Sequence, residues 1–192
     1  MTIHCRYFNL WDDLYVPGRW HLRAPNVDEN GQVLDPWRFK DGEVLQMQAA
    51  PVVRLSQPGR ELEFNLTGMT VPLVNRRVVS LFERLGLSSE IQFIPARVEG
   101  ATQPYFILNA LRVIRCIDDA RCMEALHWLP EDNRPDEVGH YRSIIALKID
   151  TSKVGDAQLF RTWGWKMALI VSERVKQALE AEGITGTQFT EV

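Results

Sequence analysis

Apolar residues recur at helical spacing in two stretches of the chain, residues 75–85 and 172–182. Each stretch begins with a residue whose side-chain oxygen can accept hydrogen bonds from the free amides of a first helical turn, Asn75 in one and Ser172 in the other. Each is followed by a glycine, which is typical of helix ends. One face is apolar and the other polar, so the pattern predicts two amphipathic helices that pack on a sheet.

Short apolar runs bounded by glycine, proline, asparagine and aspartate predict β-strands in the rest of the chain. The predicted strands cover residues 3–10, 43–49, 91–98, 104–115, 143–149, 166–171 and 187–191. The third and fourth of these follow each other closely and are expected to pair in one antiparallel sheet. Two helices with mostly antiparallel strands make an α+β fold.

Turns and loops dominate the first part of the chain. Residues 1–70 are rich in turn dipeptides such as Pro17-Gly18, and residues 26–42 are expected to form a long exposed loop or a hairpin around Asn30-Gly31. The 192 residues fit one domain, with this strand- and loop-rich part followed by an α+β part over residues 71–192.

The two helical stretches also resemble each other. VNRRVVSLFERLGLSS (74–89) aligns without a gap over VSERVKQALEAEGITG (171–186), and one inserted residue then aligns Gln92-Phe93 with Gln188-Phe189. An internal strand–helix–strand duplication would explain the match. Independent selection of the same residue types by helix capping and burial would explain it equally well, so the sequence leaves both open.

Composition and charge exclude several classes of function. A hydrophobic fraction of 45%, a charged fraction of 24% and a net charge of −3 are typical of a soluble globular protein and argue against general nucleic-acid binding. No apolar run is long enough to span a bilayer, and the N-terminal segment does not resemble a signal peptide. Three cysteines indicate a reducing compartment rather than a disulfide scaffold, so we expect a cytoplasmic protein.

The candidate catalytic and metal-binding residues do not form a known pattern. Cys116, Cys122 and His127 lie within a dozen residues, but their spacing lacks the close cysteine pairs of structural zinc sites. No local signature marks a nucleophilic cysteine. Asp118 and Asp119 are adjacent at the end of a predicted strand, where an aspartate more often caps a turn. We therefore expect no metal, no cofactor and no catalytic site.

Two loops and one tryptophan are the candidates for a protein interface. The first loop carries Trp37 and Arg38, and the second carries an acidic cluster. Tryptophan and arginine are frequent anchors of protein interfaces, whereas Trp11 and Trp165 are expected to lie at the edge of the core. The interface candidates are Trp37, Arg38, Glu131, Asp132, Asp136, Glu137 and Trp163.

From about residue 40 to its end, the chain resembles a family of bacterial immunity proteins from polymorphic toxin systems, immunity family eleven. YFILNALRVIRCIDDARC (105–122) and the final segment from Leu159 carry most of the resemblance. The residues that carry it are Tyr105, Asn109, Cys116-Ile117-Asp118, Phe160, Val171-Ser172-Glu173, Gly186 and Phe189. Most of these determine the fold rather than a site, and Asn75 and Cys122 depart from the residues expected there.

The resemblance implies an α+β protein that binds a toxin delivered between competing bacteria and neutralises it in a stoichiometric complex. It does not identify the toxin, and it is compatible with a homodimer. If the toxin presents a basic cleft, the acidic loop is expected to steer association. The alternative is an enzyme that reverses or degrades the toxin's product, with Cys116, Asp118 or His127 contributing.

Overall fold

The computed structural model describes residues 5–192. Within these residues the chain forms two α-helices, α1 (Arg76–Arg84) and α2 (Glu173–Ala181), and fifteen strands. The strands are β1 (Tyr7–Asp12), β2 (His21–Leu22), β3 (Val27–Asp28), β4 (Pro51–Val53), β5 (Leu55–Gln57), β6 (Phe64–Leu66), β7 (Pro72–Asn75), β8 (Ile91–Val98), β9 (Tyr105–Ala110), β10 (Val113–Ile114), β11 (Glu124–His127), β12 (Tyr141–Ile145), β13 (Leu159–Thr162), β14 (Trp165–Ser172) and β15 (Thr187–Glu191).

Two larger sheets organise these strands. One has six strands in the order β3-β4-β8-β9-β7-β6, and the other has five in the order β10-β13-β14-β1-β15. Neighbours are antiparallel except for the pairs β4–β8 and β10–β13. Two small antiparallel pairs, β2–β5 and β11–β12, complete the set in the described residues. The predicted α+β class, with mostly antiparallel strands, is confirmed.

Both helices bury their apolar faces in one central core. Val78 and Phe82 of α1 and Val175 and Leu179 of α2 are fully buried there. Side chains of β1, β13 and β14 from one sheet and of β7 and β9 from the other fill the remaining space. The two predicted helices are confirmed: Asn75 and Ser172 are their N-caps, and each accepts a hydrogen bond from a backbone amide of the first turn.

Each helix connects two parallel strands that are separated by one antiparallel strand. The helix α1 joins β7 to β8, with β9 between them, and α2 joins β14 to β15, with β1 between them. The register also agrees. Tyr105 of β9 lies opposite the N-cap Asn75, and Tyr7 of β1 lies opposite the N-cap Ser172.

The same correspondence continues on the other side of each middle strand. Leu108 of β9 lies opposite Phe93, and Leu10 of β1 lies opposite Phe189. The aligned Gln-Phe pairs of the sequence therefore occupy equivalent places in the two sheets. This topology fits a duplication, and common ancestry of the two units stays a prediction.

Three predicted strands differ from the structure. Residues 43–49 form no strand, because the side chain of Gln92 pairs with both the amide (2.9 Å) and the carbonyl (2.8 Å) of Leu45 and replaces a neighbouring strand. The predicted strand 104–115 is divided into β9 and β10. The run 143–149 ends as a strand at Ile145, where Ala146 has a positive φ of 51°, and Ile145 is exposed rather than buried.

Two outer cores cover the faces of the sheets that point away from the helices. Trp20, Phe39 and Val53 pack with β9 on the six-stranded sheet. Cys116 and Ile149 pack with β13 and β14 on the five-stranded sheet. The predicted strand 3–10 corresponds to β1, and its part before residue 5 lies outside the described residues. The irregular segments that cover these outer faces also form the candidate site.

Removal of the first N-cap is expected to destabilise the protein. The side-chain oxygen of Asn75 accepts a hydrogen bond from the amide of Val78 at 3.2 Å, and this position is buried, so water cannot substitute for it. Asn75→Ala should lower the free energy of unfolding by about 1 kcal/mol or somewhat more. Asn75→Ser retains a capping oxygen and should stay close to the wild type in urea denaturation. Equal losses in both variants would contradict this role of the cap.

Candidate functional site

A cleft of about 510 Å³ lies between three separate regions of the chain. A 3₁₀ turn, residues Pro36–Lys40, provides Trp37. The arm formed by β11, β12 and their connecting loop provides most of the opposite wall, and the β13–β14 turn provides the remainder. The lining residues are Trp37, Asp41, Trp128, Arg134, Asp136, Glu137, His140, Tyr141, Arg142, Gly164, Trp165, Lys166 and Met167.

Gly164 allows the arm to approach the β13–β14 turn. Its φ is +76°, and an added Cβ would lie 3.1 Å from the ring of Tyr141. Its carbonyl oxygen accepts a hydrogen bond from the amide of Tyr141 at 3.0 Å. Across the cleft, Lys166 of β14 pairs with Asp41 at 2.7 Å. These contacts connect the three regions and define the shape of the cleft.

The structure brings together part of the predicted interface. Trp37 of the first loop and Asp136 and Glu137 of the second line the same cleft, although about a hundred residues separate them in sequence. The lining does not include Arg38, Glu131, Asp132 or Trp163. The ring of Trp163 contacts that of His140, with centroids 4.9 Å apart, so it supports the wall from behind. That these residues bind a partner stays a prediction.

Two of the four carboxylates of the acidic loop contact side chains of the same arm. Asp132 accepts a hydrogen bond from the amide of Leu129 at 2.9 Å and lies 3.5 Å from Arg142. Glu137 lies 3.1 Å from His140. Glu131 and Asp136 form no ion pair among the described residues. Asp132 and Glu137 therefore help to hold the conformation of the loop.

Two of the three tryptophan rings that line the cleft lie against cations of the same chain. The Lys40 ammonium lies 3.7 Å from the centroid of the Trp37 ring. The guanidinium groups of Arg134 and Arg142 lie 5.0 and 5.9 Å from the ring of Trp128. Such cation–π contacts position a cation without neutralising its charge.

Two fully buried cations lie behind the cleft. Lys40 donates hydrogen bonds to the carbonyl oxygen of Met69 at 2.6 Å and to the sulfur of Met167 at 3.6 Å. Arg161 of β13 donates to the carbonyl oxygens of Lys166 at 2.7 Å and of Thr70 at 3.4 Å. All these acceptors are neutral, and no carboxylate in residues 5–192 forms an ion pair with either cation.

Lys40 and Arg161 hold a strained piece of backbone. Met69 and Thr70 both have positive φ, 62° and 54°, which is unfavourable for a side-chain-bearing residue and especially for a β-branched one. Each such residue costs on the order of 1–3 kcal/mol. The charged donors bind the two carbonyl groups and so help to keep this conformation.

Burial strongly affects the titration of both cations. Desolvation, together with the nearby positive charge of Arg161, lowers the pKa of Lys40 to about 7. Desolvation also lowers the pKa of Arg161 below its ordinary value. Lys40 therefore gains or loses its charge near neutral pH, in direct contact with a wall of the cleft.

The residues considered for an enzymatic mechanism do not converge. The thiol of Cys116 is buried in an outer core, and desolvation raises its pKa to about 12, which disfavours the nucleophilic thiolate. Asp118 lies 3.9 Å from Arg121. His127 lies 3.5 Å from Asp119, whose other carboxylate oxygen accepts a hydrogen bond from Tyr141 at 2.6 Å. This network supports the wall of the cleft.

The sequence did not identify Lys40, Arg161, Trp128 and Lys166 as site residues. Each occurs in an ordinary local context, with no motif around it. Trp165, expected at the edge of the core, does pack against an outer core, but it also lines the cleft. Only the apposition of distant segments reveals these residues, so no sequence signal was available for them.

Comparison with known proteins gives one clear match. The model of a family described as "Immunity protein family (Imm11)" matches residues 1–192. No curated protein matches the chain. In the part of the chain that the structure describes, no helix is long and apolar enough to cross a membrane. The same part contains no group of three or more histidine, cysteine, aspartate or glutamate side chains arranged to hold a metal ion.

Lys40→Met is expected to remove a pH dependence of stability. The pKa of Lys40 is about 7 when folded and 10.5 ordinarily, so the unfolded state binds more protons between these values. The free energy of unfolding therefore rises with pH there, by at most about 1.4 kcal/mol per pH unit. Methionine does not titrate, so the stability of the variant should lack this rise with pH in urea denaturation.

The exposed Lys153 provides a matched control, because its side chain is 54% exposed and lies away from the cleft. Lys153→Met should retain the wild-type rise in stability with pH. A Lys40→Met variant whose stability follows the wild-type curve would contradict the assignment of this titration to the buried ammonium.

Proposed function

Because the chain belongs to the Imm11 immunity protein family, we propose that it neutralises a cognate toxin by forming a stoichiometric complex in the cytoplasm. The family match supports a role in immunity to a toxin. The observation that carries the binding surface is the cleft, where loop 28–41 and loop 131–140 meet around several tryptophans. We propose this cleft and its rim as the interface with the toxin.

The side chains at the cleft have the properties of an interface centre. Trp37 is 43% exposed although it packs on Lys40, so it presents a large, rigid ring to a partner. Tryptophan and arginine are enriched among residues that dominate binding energy, especially in concave, partly desolvated places. The loop between β11 and β12 also exposes the apolar side chains of Leu129 and Val138, which follow the cleft residues Trp128 and Glu137 in sequence.

The contacts among the cleft residues support binding rather than catalysis. Some charged side chains of the cleft are engaged in contacts that fix its walls, as between Lys166 and Asp41 and between Glu137 and His140. A rigid, preformed surface loses little conformational entropy when it binds, which favours a tight complex. Inhibition by binding also requires only occlusion of the toxin, and no chemical step by this chain.

Loss of the cleft tryptophans is expected to weaken toxin binding. Trp37→Ala and Trp128→Ala remove large contact areas at the proposed centre of the interface. Each should raise the Kd for the catalytically inactivated toxin by about thirtyfold or more, in line with a hot-spot loss of about 2 kcal/mol. Isothermal titration calorimetry measures the change, and circular dichroism checks that the variants fold.

Tyr15→Ala is the matched control, because Tyr15 is an aromatic residue that is 83% exposed and does not line the cleft. It should bind the toxin like the wild type. If both tryptophan variants retain wild-type affinity while Tyr15→Ala loses it, the interface lies elsewhere on the molecule.

The ratio of protein to toxin is expected to decide between binding and enzymatic protection. In an assay of toxin activity with increasing amounts of this protein, inhibition should be complete only near one molecule per toxin molecule. An enzyme that reverses the toxin's product would protect at far smaller amounts. Full protection at such catalytic amounts would contradict the stoichiometric mechanism.

A further inference from the structure

We propose that the cleft receives an acidic segment of the toxin, whose carboxylate groups bind at the tryptophan-stacked guanidinium groups of Arg134 and Arg142. This inference rests on the proposed function and adds the chemistry of the partner. From the sequence alone, the acidic loop was expected to attract a toxin with a basic cleft. The present proposal instead assigns an acidic segment of the toxin to the cleft.

The lining of the cleft is balanced in formal charge, and two buried basic side chains lie behind it. Its lining contains three carboxylates (Asp41, Asp136 and Glu137) and three permanent cations (Arg134, Arg142 and Lys166). These two side chains, Lys40 and Arg161, form no ion pair with a carboxylate of the described residues. They contact neutral carbonyl, hydroxyl and sulfur acceptors only.

Burial of these two cations strengthens their effect on the cleft. Lys40 is fully buried and touches Trp37 and Met167, which both line the cleft. Arg161 is fully buried and donates to the carbonyl oxygen of Lys166, another lining residue. Fields from charges in a low-dielectric interior are screened less than those of surface charges, and a cleft concentrates them. Arg161, and Lys40 where it is protonated, therefore make the floor of the cleft attractive to an anion.

Guanidinium groups at the wall provide the contact itself. Arg134 stacks at 5.0 Å from the Trp128 ring, and no carboxylate of residues 5–192 lies within ion-pair distance of it. Arg142 stacks on the same ring at 5.9 Å, and its ion pair with Asp132 is long, 3.5 Å. The N–H groups of Arg134 have no carboxylate partner among the described residues, and the edge of a guanidinium matches the two oxygens of a carboxylate.

The negative residues near the cleft do not reverse this balance. Asp41 is paired with Lys166, and Glu137 contacts His140. Asp136 at the lining and Glu131 outside it are the two members of the acidic loop without an ion pair among the described residues. Both are exposed, as are Arg134 and Arg142, so solvent screens these opposite charges to a similar extent. The buried cations behind the lining are screened less and favour an acidic partner.

Binding of two defined peptides, hexaglutamate and hexalysine, to the full chain tests this inference. Two-dimensional NMR of the tryptophan indole N–H groups at low salt reports which peptide enters the cleft. Hexaglutamate should shift the signals of Trp37 and Trp128, and the shifts should weaken at high salt, whereas hexalysine should leave them unchanged. Arg134→Gln/Arg142→Gln should weaken hexaglutamate binding by about tenfold, as expected for the loss of two ionic contacts.

The control Arg84→Gln/Arg97→Gln removes two exposed guanidinium groups away from the cleft, and it should bind hexaglutamate like the wild type. Glu131→Gln/Asp136→Asn should bind it more tightly. Binding of hexalysine at the cleft, absence of hexaglutamate binding, or equal losses in the two arginine pairs would overturn the inference. Those results would leave the proposed function standing, because it is tested separately by the affinity of the tryptophan variants for the toxin and by the ratio of protein to toxin needed for protection.

Discussion

Packing of both helices into one central core between the two sheets is the constraint on which the rest of the structure depends. Each helix must follow one strand and precede another that is parallel to it, so a third, antiparallel strand has to fill the gap. In one unit β9 does so, and in the other β1, from the far end of the sequence. The position of β1 is therefore determined by the unit that contains α2. Both sheets pack around one apolar core.

This arrangement leaves the irregular segments to cover the outer faces of the sheets. The 3₁₀ turn with Trp37, the β11–β12 arm and the β13–β14 turn meet there because the sheets beneath them are fixed. Lys40 and Arg161 connect these segments to the strained backbone at Met69 and Thr70. The cleft thus combines a rigid support with an unusual concentration of buried positive charge, a combination well suited to recognition of a partner by shape and charge together.

Much of the fold follows from local patterns in the sequence. The helices at residues 76–84 and 173–181 were predictable because capping and apolar spacing act within a few residues. The strand at 43–49 was not, since the side chain of Gln92 replaces a neighbouring strand there. Trp37 and the acidic loop were identified from residue type alone. Their meeting in one cleft, and the contacts of Asp132 with Arg142 and of Glu137 with His140, depend on the tertiary structure and not on sequence spacing.

The sequence by itself determined the α+β class, the positions of the two capped helices, and the family to which the chain belongs, because these rest on periodicity and on fold-determining residues. Only the tertiary structure decided that β1 is the counterpart of β9 and that distant loops form one cleft. It also decided that Lys40 and Arg161 are buried without an ion pair to a carboxylate of the described residues. The physical reason is the range of the interactions. Capping and amphipathic spacing act between near neighbours, whereas burial and electrostatic balance depend on every segment that folding brings together.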